Sequence, residues 1–210
     1  MFFYFATAMM ISYLLGSLSF SIIISKNFNQ KKDIRSLGSN NAGFSNMLRS
    51  FGFLPALFTF IGDFSKGVLA ICISSFIFEN FNIFIKNKIF FLILSCFFCC
   101  LGHMWPCFFK FNGGKAILTT WACNFLIDFK ISLGLIIIFL IILILSKIIS
   151  LSSICAAVAY PILVFIFEKN TCKYAFLVAL ILSILVIFKH RTNIKRLIRN
   201  EEKSIKICKK

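Results

Sequence analysis

The sequence predicts an all-α integral membrane protein of about seven transmembrane helices, with the N-terminus outside and the C-terminus cytoplasmic. Three observations carry that prediction. Of its 210 residues 60% are hydrophobic and the mean hydropathy is +0.93, far above the range of a soluble domain of this size. The apolar residues gather into runs long enough to cross a core of roughly 30 Å at about 1.5 Å per residue. The 23 Lys and Arg, against 7 Asp and Glu, fall between and after those runs and concentrate on one side. A net charge of +16 in that placement fits a membrane surface, and no nucleic-acid partner is expected.

The first run, residues 2–25, holds no charge, and Phe2 follows Met1 without a basic leader region, so this helix is expected to be retained. Gly16, Ser17, Ser19 and Ser21 make its second half small and polar, which suits close helix packing; hydroxyls placed near the next loop are the alternative. Residues 33–49 then read as a polar loop between two spans. Gly38 and Gly43 free the backbone to turn its N–H groups toward one point, Ser39, Asn40, Asn41, Ser45 and Asn46 add neutral donors, and Arg35 and Arg49 add charge. Such a loop suits an anion with several oxygens, phosphate first, although turn residues of a solvated loop have the same composition.

The second run, residues 51–78, carries Asp63 and Lys66 in its middle, three apart and so on one helical face. They read either as a buried structural pair or, for Lys66, as an attractor of an anionic substrate. The third run, residues 89–103, closes at Gly102, His103, Met104, Trp105 and Pro106. Gly113, Gly114 and Lys115 follow at the start of another helix, where bare backbone donors, a positive dipole end and a mobile cation suggest a second anion cradle. It is not a Walker loop, since neither the strand nor the surrounding pattern is present. Cys96 and Cys99 form a C-x-x-C ahead of His103, but the run around them is lipid-like and lacks other ligands, so no metal and no cofactor is expected. The nine cysteines lack framework spacing and read as buried, reduced thiols.

Residues 116–129, 131–150, 151–167 and 174–188 read as four further helices, the first of them short. With the N-terminus outside, inward segments hold 17 Lys and Arg, outward segments hold Lys86, Lys88, Lys130, Lys169 and Lys173, and Lys66 lies within the membrane. That bias sets the orientation and puts both anion loops on the cytoplasmic face. Five crossings result if the short segments lie at the interface. One polytopic domain is expected over residues 1–210, ending in a basic cytoplasmic tail at 189–210, in which His190 and Asn193 stand three apart on one helical turn. The tail's other cations read as topology signals and lipid head-group contacts.

These three motifs, in this order, resemble the PlsY family, the bacterial acyl-phosphate:glycerol-3-phosphate acyltransferases. The resemblance rests on the 33–49 loop with Gly16 and Ser17, on Gly102-His103 through Gly113-Gly114-Lys115, and on His190-Arg191-Thr192-Asn193-Ile194 with Arg196, Leu197 and Glu202; Asp63, Lys66 and Gly67 look like a further signature. It implies a monomeric enzyme of the bacterial cytoplasmic (inner) membrane that moves a fatty acyl group from long-chain acyl phosphate to the 1-hydroxyl of sn-glycerol 3-phosphate. It further implies that Ser39 and Arg49 hold the phosphate of glycerol 3-phosphate, that Lys115, His190 and Asn193 complete the site, and that Gly113 and Gly114 cradle the acyl phosphate. Gly38, Asn41, Gly43 and Asn46 are expected to help bind substrate, and Asp63, Lys66 and Glu202 to support the site. Asn40, Ala116 and Asn200 stand where the family usually has glycine, and Ala116 is expected to narrow the phosphate loop.

An acyl phosphate is a mixed anhydride with a good leaving group, so no acyl-enzyme is required; a hydroxyl must be aligned with the carbonyl and two phosphates kept from repelling each other. His190 could act as base, or the substrate's own phosphate could take the proton, which is the preferred reading. The glycerolipid acyltransferases that use a His followed five residues later by Asp are excluded, because Phe108 follows His103 and Lys195 follows His190 at that spacing. A transporter of phosphorylated metabolites would share the inward cations but should show a pseudo-repeat, and none is visible. A scaffold or decayed enzyme would tolerate loss of Ser39, Arg49 and Lys115, all of which are present.

Overall fold

The computed structural model describes residues 2–28, 32–80, 88–168 and 173–204. Every run read as a span is mostly helical there. Helices α1 (Phe2–Ser17) and α2 (Phe20–Asn27) form the first crossing. It was expected as one unbroken helix, but it breaks at Leu18 and Ser19. Lys66 Nζ occupies the break, donating to the Leu18 carbonyl at 2.8 Å. The small residues near it serve packing: a Cβ on Gly16 would lie 2.0 Å from the Cys99 carbonyl oxygen, and one on Gly102 would lie 2.1 Å from that of Tyr13. Backbones that close leave no room for any side chain.

Part of the first polar loop is also helical. A 3₁₀ turn covers Ile34–Ser36, and α3 (Phe44–Phe51) carries Ser45, Asn46 and Arg49; Gly52, at φ +84°, separates it from α4 (Phe53–Asn80). Next come α5 (Lys88–Met104), α6 (Ile117–Ile127), α7 (Phe129–Ser146), α8 (Ile149–Glu168), α9 (Lys173–Lys189) and α10 (Arg191–Ile198). Helix α1 packs on α5 and α4, α4 on α6, α7 on α8, and α8 on α9. Among the described residues five stretches are long and apolar enough to cross a membrane, or up to six if α9 and α10, bent by 60°, count as one span. The expected count of seven also requires α6, whose 11 residues rise only about 16 Å, roughly half the core. Asp128 ends it and immediately caps α7, accepting from Lys130 N at 2.7 Å. Of the charges behind the expected orientation, Lys31, Lys86, Lys169, Lys206, Lys209 and Lys210 lie outside the described residues.

Pro161 lies inside α8 and has no N–H to give the carbonyl four residues earlier. That carbonyl, of Ala157, accepts instead from Ser183 Oγ of α9 at 2.6 Å, which ties the two helices together in mid-membrane. Cys96, Cys99, Cys100 and Cys123 are buried as expected, whereas Cys155 is half-buried and Cys72 is exposed.

Candidate active site

The three polar motifs meet at one end of the bundle around a cavity of about 280 Å³. From the first motif Ser39, Asn41, Gly43, Ser45 and Arg49 reach its wall; from the second, His103, Lys115 and Ala116; from the third, His190, Asn193 and Glu202. Residues more than 150 positions apart in sequence thus share one space. Away from this polar end the wall turns apolar, with Leu135, Phe139, Ala156, Ala157, Leu182 and Val186 from α7, α8 and α9.

Two residues of the first motif act on the loop from behind the wall. Asn46 is fully buried, its Nδ2 reaching the carbonyls of Ile34, Leu37 and Asn41 at 3.2, 2.9 and 3.0 Å while its Oδ1 accepts from Ser39 N at 3.0 Å. An amide so occupied has nothing left for substrate, so Asn46 shapes the loop that presents Ser39. Gly38 sits at φ +57°, where a Cβ would lie 2.2 Å from Asn46 Oδ1. The two arginines also part company. Arg35 donates to both carboxylate oxygens of Asp33 at 3.0 and 2.8 Å, and to the carbonyls of Phe109 and Asn112 at 2.8 and 3.1 Å. Hydrogen bonding from Arg35 holds the Asp33 carboxyl below its usual range. Arg35 is therefore the clasp between the first and second loops. Arg49 is exposed, lines the cavity and has no ion-pair or hydrogen-bond partner among the described residues.

The glycine cradle differs from its expected form. Gly113 N donates to the Met104 carbonyl at 3.3 Å and Gly114 N to that of His103 at 3.0 Å, so both amides finish α5 and neither remains for an anion. What glycine supplies here is space. A Cβ on Gly113 would come within 2.1 Å of the His103 carbonyl oxygen, and one on Gly114 within 2.1 Å of His103 Nε2. His103 is held in turn from below: its Nδ1 lies 2.8 Å from Lys66 Nζ and 3.3 Å from Thr119 Oγ1. Lys66, 1% exposed, also pairs with Asp63 Oδ1 at 2.8 Å. Lys66 thus belongs to a buried structural pair and is absent from the cavity wall, while Asp63 and His103 reach it.

The third motif forms a chain of contacts. Lys115 Nζ donates to Asn193 Oδ1, Asn193 Nδ2 to Glu202 Oε1 at 2.8 Å, Ser150 Oγ to the same oxygen at 2.9 Å, and Arg196 Nε to Glu202 Oε2 at 2.7 Å. Burial pushes the Glu202 carboxyl up, but these hydrogen bonds outweigh it and hold it below its usual range. Burial lowers Lys115 to about 8; Glu202 opposes the shift, and Arg196 and Lys189 add to it. His190 packs at the head of α10 with Nδ1 2.8 Å from the Val186 carbonyl. A carbonyl can only accept, so Nδ1 carries the hydrogen and Nε2 is the ring's acceptor. The sequence reading missed Ser150, which sits in a lipid-like run with no local sign of its link to Glu202.

This arrangement can hold two phosphates over an apolar slot. A family model described as glycerol-3-phosphate acyltransferase matches residues 6–200. The chain belongs to that family. It is 42% identical over 195 residues to the glycerol-3-phosphate acyltransferase of Prochlorococcus marinus subsp. pastoris, covering 93% of this chain and 94% of that one. It is 36% identical over 195 residues to the one from Thermoanaerobacter pseudethanolicus, covering 93% and 92%. A crystal structure of PlsY, an integral membrane glycerol 3-phosphate acyltransferase, in its glycerol 3-phosphate form superposes with a TM-score of 0.84 at 28% identity, covering 96% of this chain and 95% of that one. The lysophosphatidic acid form of PlsY gives 0.80 at the same identity and coverage. The three positions where the resemblance leads one to expect glycine share one backbone property. Asn40, Ala116 and Asn200 have φ of 55°, 60° and 56°, the left-handed region where glycine costs least. Asn accepts that region readily, whereas Ala116, buried at the head of α6, takes it at a cost of roughly 1–2 kcal/mol.

Proposed function

We propose that this protein transfers a fatty acyl group from a long-chain acyl phosphate to the 1-hydroxyl of sn-glycerol 3-phosphate, releasing lysophosphatidic acid and inorganic phosphate, at the cytoplasmic face of a bacterial inner membrane. The observation that carries the reading is one continuous cavity whose polar end, with Arg49, Lys115, Ser39, His190 and Asn193, continues into an apolar limb lined by α7, α8 and α9. A donor with a phosphate head and a hydrocarbon tail has that shape, and so does the lysophosphatidic acid product.

In this reading Arg49 and Ser39 bind the phosphate of the acceptor, because Arg49 lies beside Ser39 in the first motif and is, with Lys203, a wall cation that has no hydrogen-bond or ion-pair partner among the described residues. Lys115, steadied by Asn193, faces the phosphate of the donor. The acceptor's hydroxyl oxygen bonds to the acyl carbon, the bond from that carbon to the bridging oxygen breaks, and phosphate leaves with the electron pair. Cations at both phosphates offset the repulsion of bringing two anions together and stabilise the departing charge. Nε2 of His190 accepts the hydroxyl's hydrogen bond and orients it; the proton passes to the phosphate or to that nitrogen. Asp63 and Lys66 support the site through His103, and Glu202 through Asn193.

The test is phosphate release from palmitoyl phosphate by the purified protein in lipid, with and without glycerol 3-phosphate, alongside product formation. Release that requires glycerol 3-phosphate and matches lysophosphatidic acid one for one is expected. Intact protein without turnover overturns the reading.

A further inference from the structure

The depth of the cavity's apolar limb can be followed by counting along three helices. On α8 the lining positions Ser150, Ser153, Ala156, Ala157 and Tyr160 follow helical spacing down a single face. Ser150 is anchored at the polar end by its bond to Glu202. Tyr160 lies ten residues further on, about 15 Å deeper at the rise of an α-helix. On α9 the lining runs from Val186 to Leu182, and on α7 it ends at Leu135, at similar depths. Between Ile149 at its head and Tyr160, every α8 side chain that lines the cavity is small, and Tyr160, 2% exposed, is among the largest fully buried side chains of the described residues. The Ser183 bond to the Ala157 carbonyl fixes α8 against α9 just above it, so this end of the limb is held at a set width.

We infer that Tyr160 is the floor of the acyl-chain limb and sets the chain length this protein prefers. The inference rests on the acyltransferase reading above. With carbon–carbon bonds of about 1.5 Å, an extended chain advances roughly 1.25 Å per carbon, so the depth from Ser150 to Tyr160 takes up about twelve methylenes. A chain that ends at the ring fills the limb, while a longer one must fold back or leave sideways. Removing the ring deepens the limb, and a larger side chain one turn above it makes the limb shallower.

The experiment measures kcat/KM for saturated acyl phosphates from eight to eighteen carbons, each with glycerol 3-phosphate, for the wild type, Tyr160→Phe, Tyr160→Ala and Ala156→Leu in lipid. Tyr160→Ala is expected to move the optimum up by about four carbons and Ala156→Leu to move it down by about as much; Tyr160→Phe, which keeps the ring, leaves it in place. If Tyr160→Ala does not fold, the downward shift in Ala156→Leu carries the test alone. Turnover with an unchanged length profile in the folded variants overturns the ruler while leaving the acyltransferase intact. No turnover of any acyl phosphate by folded wild type overturns the reading beneath it.

Discussion

Lys66 Nζ lies 2.8 Å from His103 Nδ1, and the edge of the same ring meets Gly114 where a Cβ would come within 2.1 Å of Nε2. A buried ammonium in mid-helix is thus mechanically connected to the loop that carries Lys115. Lys66→Met leaves the Asp63 carboxylate buried without its cation and is expected to cost about 3–5 kcal/mol, read as a lower unfolding temperature in detergent, with part of the loss recovered in Asp63→Asn/Lys66→Met. Gly114→Ala leaves that pair intact but displaces the ring or the loop. A fall in kcat/KM of tenfold or more at near-normal stability is expected, and unchanged kinetics would detach the loop from the site.

The two arginines of the first motif should separate in assay. Arg49→Ala removes a cation with no hydrogen-bond or ion-pair partner among the described residues, so its unfolding temperature and membrane insertion should match the wild type while acyl transfer falls by more than a hundredfold. Near-normal turnover in the purified variant would remove Arg49 from the site. Arg35→Ala deletes four hydrogen bonds, two of them to the second loop. It should lower stability as well as activity, which unfolding curves and initial rates measured on one preparation would resolve.

Ala116→Gly should stabilise the protein. The alanine has φ 60° at the position that caps α6, and glycine relieves roughly 1–2 kcal/mol of left-handed strain, less about 0.4–1 kcal/mol for the entropy that a freer unfolded chain gains, a net of about 1 kcal/mol. For a chain of this size that corresponds to a rise of about 2–4 °C in unfolding temperature. Asn40→Gly and Asn200→Gly, starting from a residue that tolerates the same conformation, should move it by less.

The Lys115 value of about 8 sets a pH window. Below it the ammonium is present and the phosphate site is complete; above it the cation is lost and KM should rise up to tenfold per pH unit, over a range where phosphate monoesters remain dianions. Stability of the ligand-free protein moves the other way. The native value lies below the unfolded one of 10.5, so between the two the unfolded chain binds more protons and stability rises with pH. Lys115→Arg should abolish the KM rise in this window, and a profile unchanged in that variant would assign the titration elsewhere.

The seven apolar runs, the break at Asp128 and the pairing of Asp63 with Lys66 were legible because each depends on residues within a turn or two of one another: hydropathy, caps and three-residue spacing act locally. The grouping of Ser39, Arg49, Lys115, His190 and Asn193 was legible only through resemblance, since no local rule joins residues so far apart. Sequence composition could not fully separate Arg35 from Arg49, because besides the nearby Asp33 carboxylate what occupies Arg35 is a pair of carbonyls in a loop more than seventy residues away. Nor could it tell that the amides of Gly113 and Gly114 finish α5, or that Asn46 is spent on its own loop. Those outcomes belong to the tertiary structure, for a hydrogen-bonding group has only so many partners and the fold decides which arrive first. The sequence by itself determined a helical membrane protein with cations and glycines in three polar motifs; packing determined that Arg35 is occupied while Arg49 is not, which glycines make room and which apolar helix faces line the cavity.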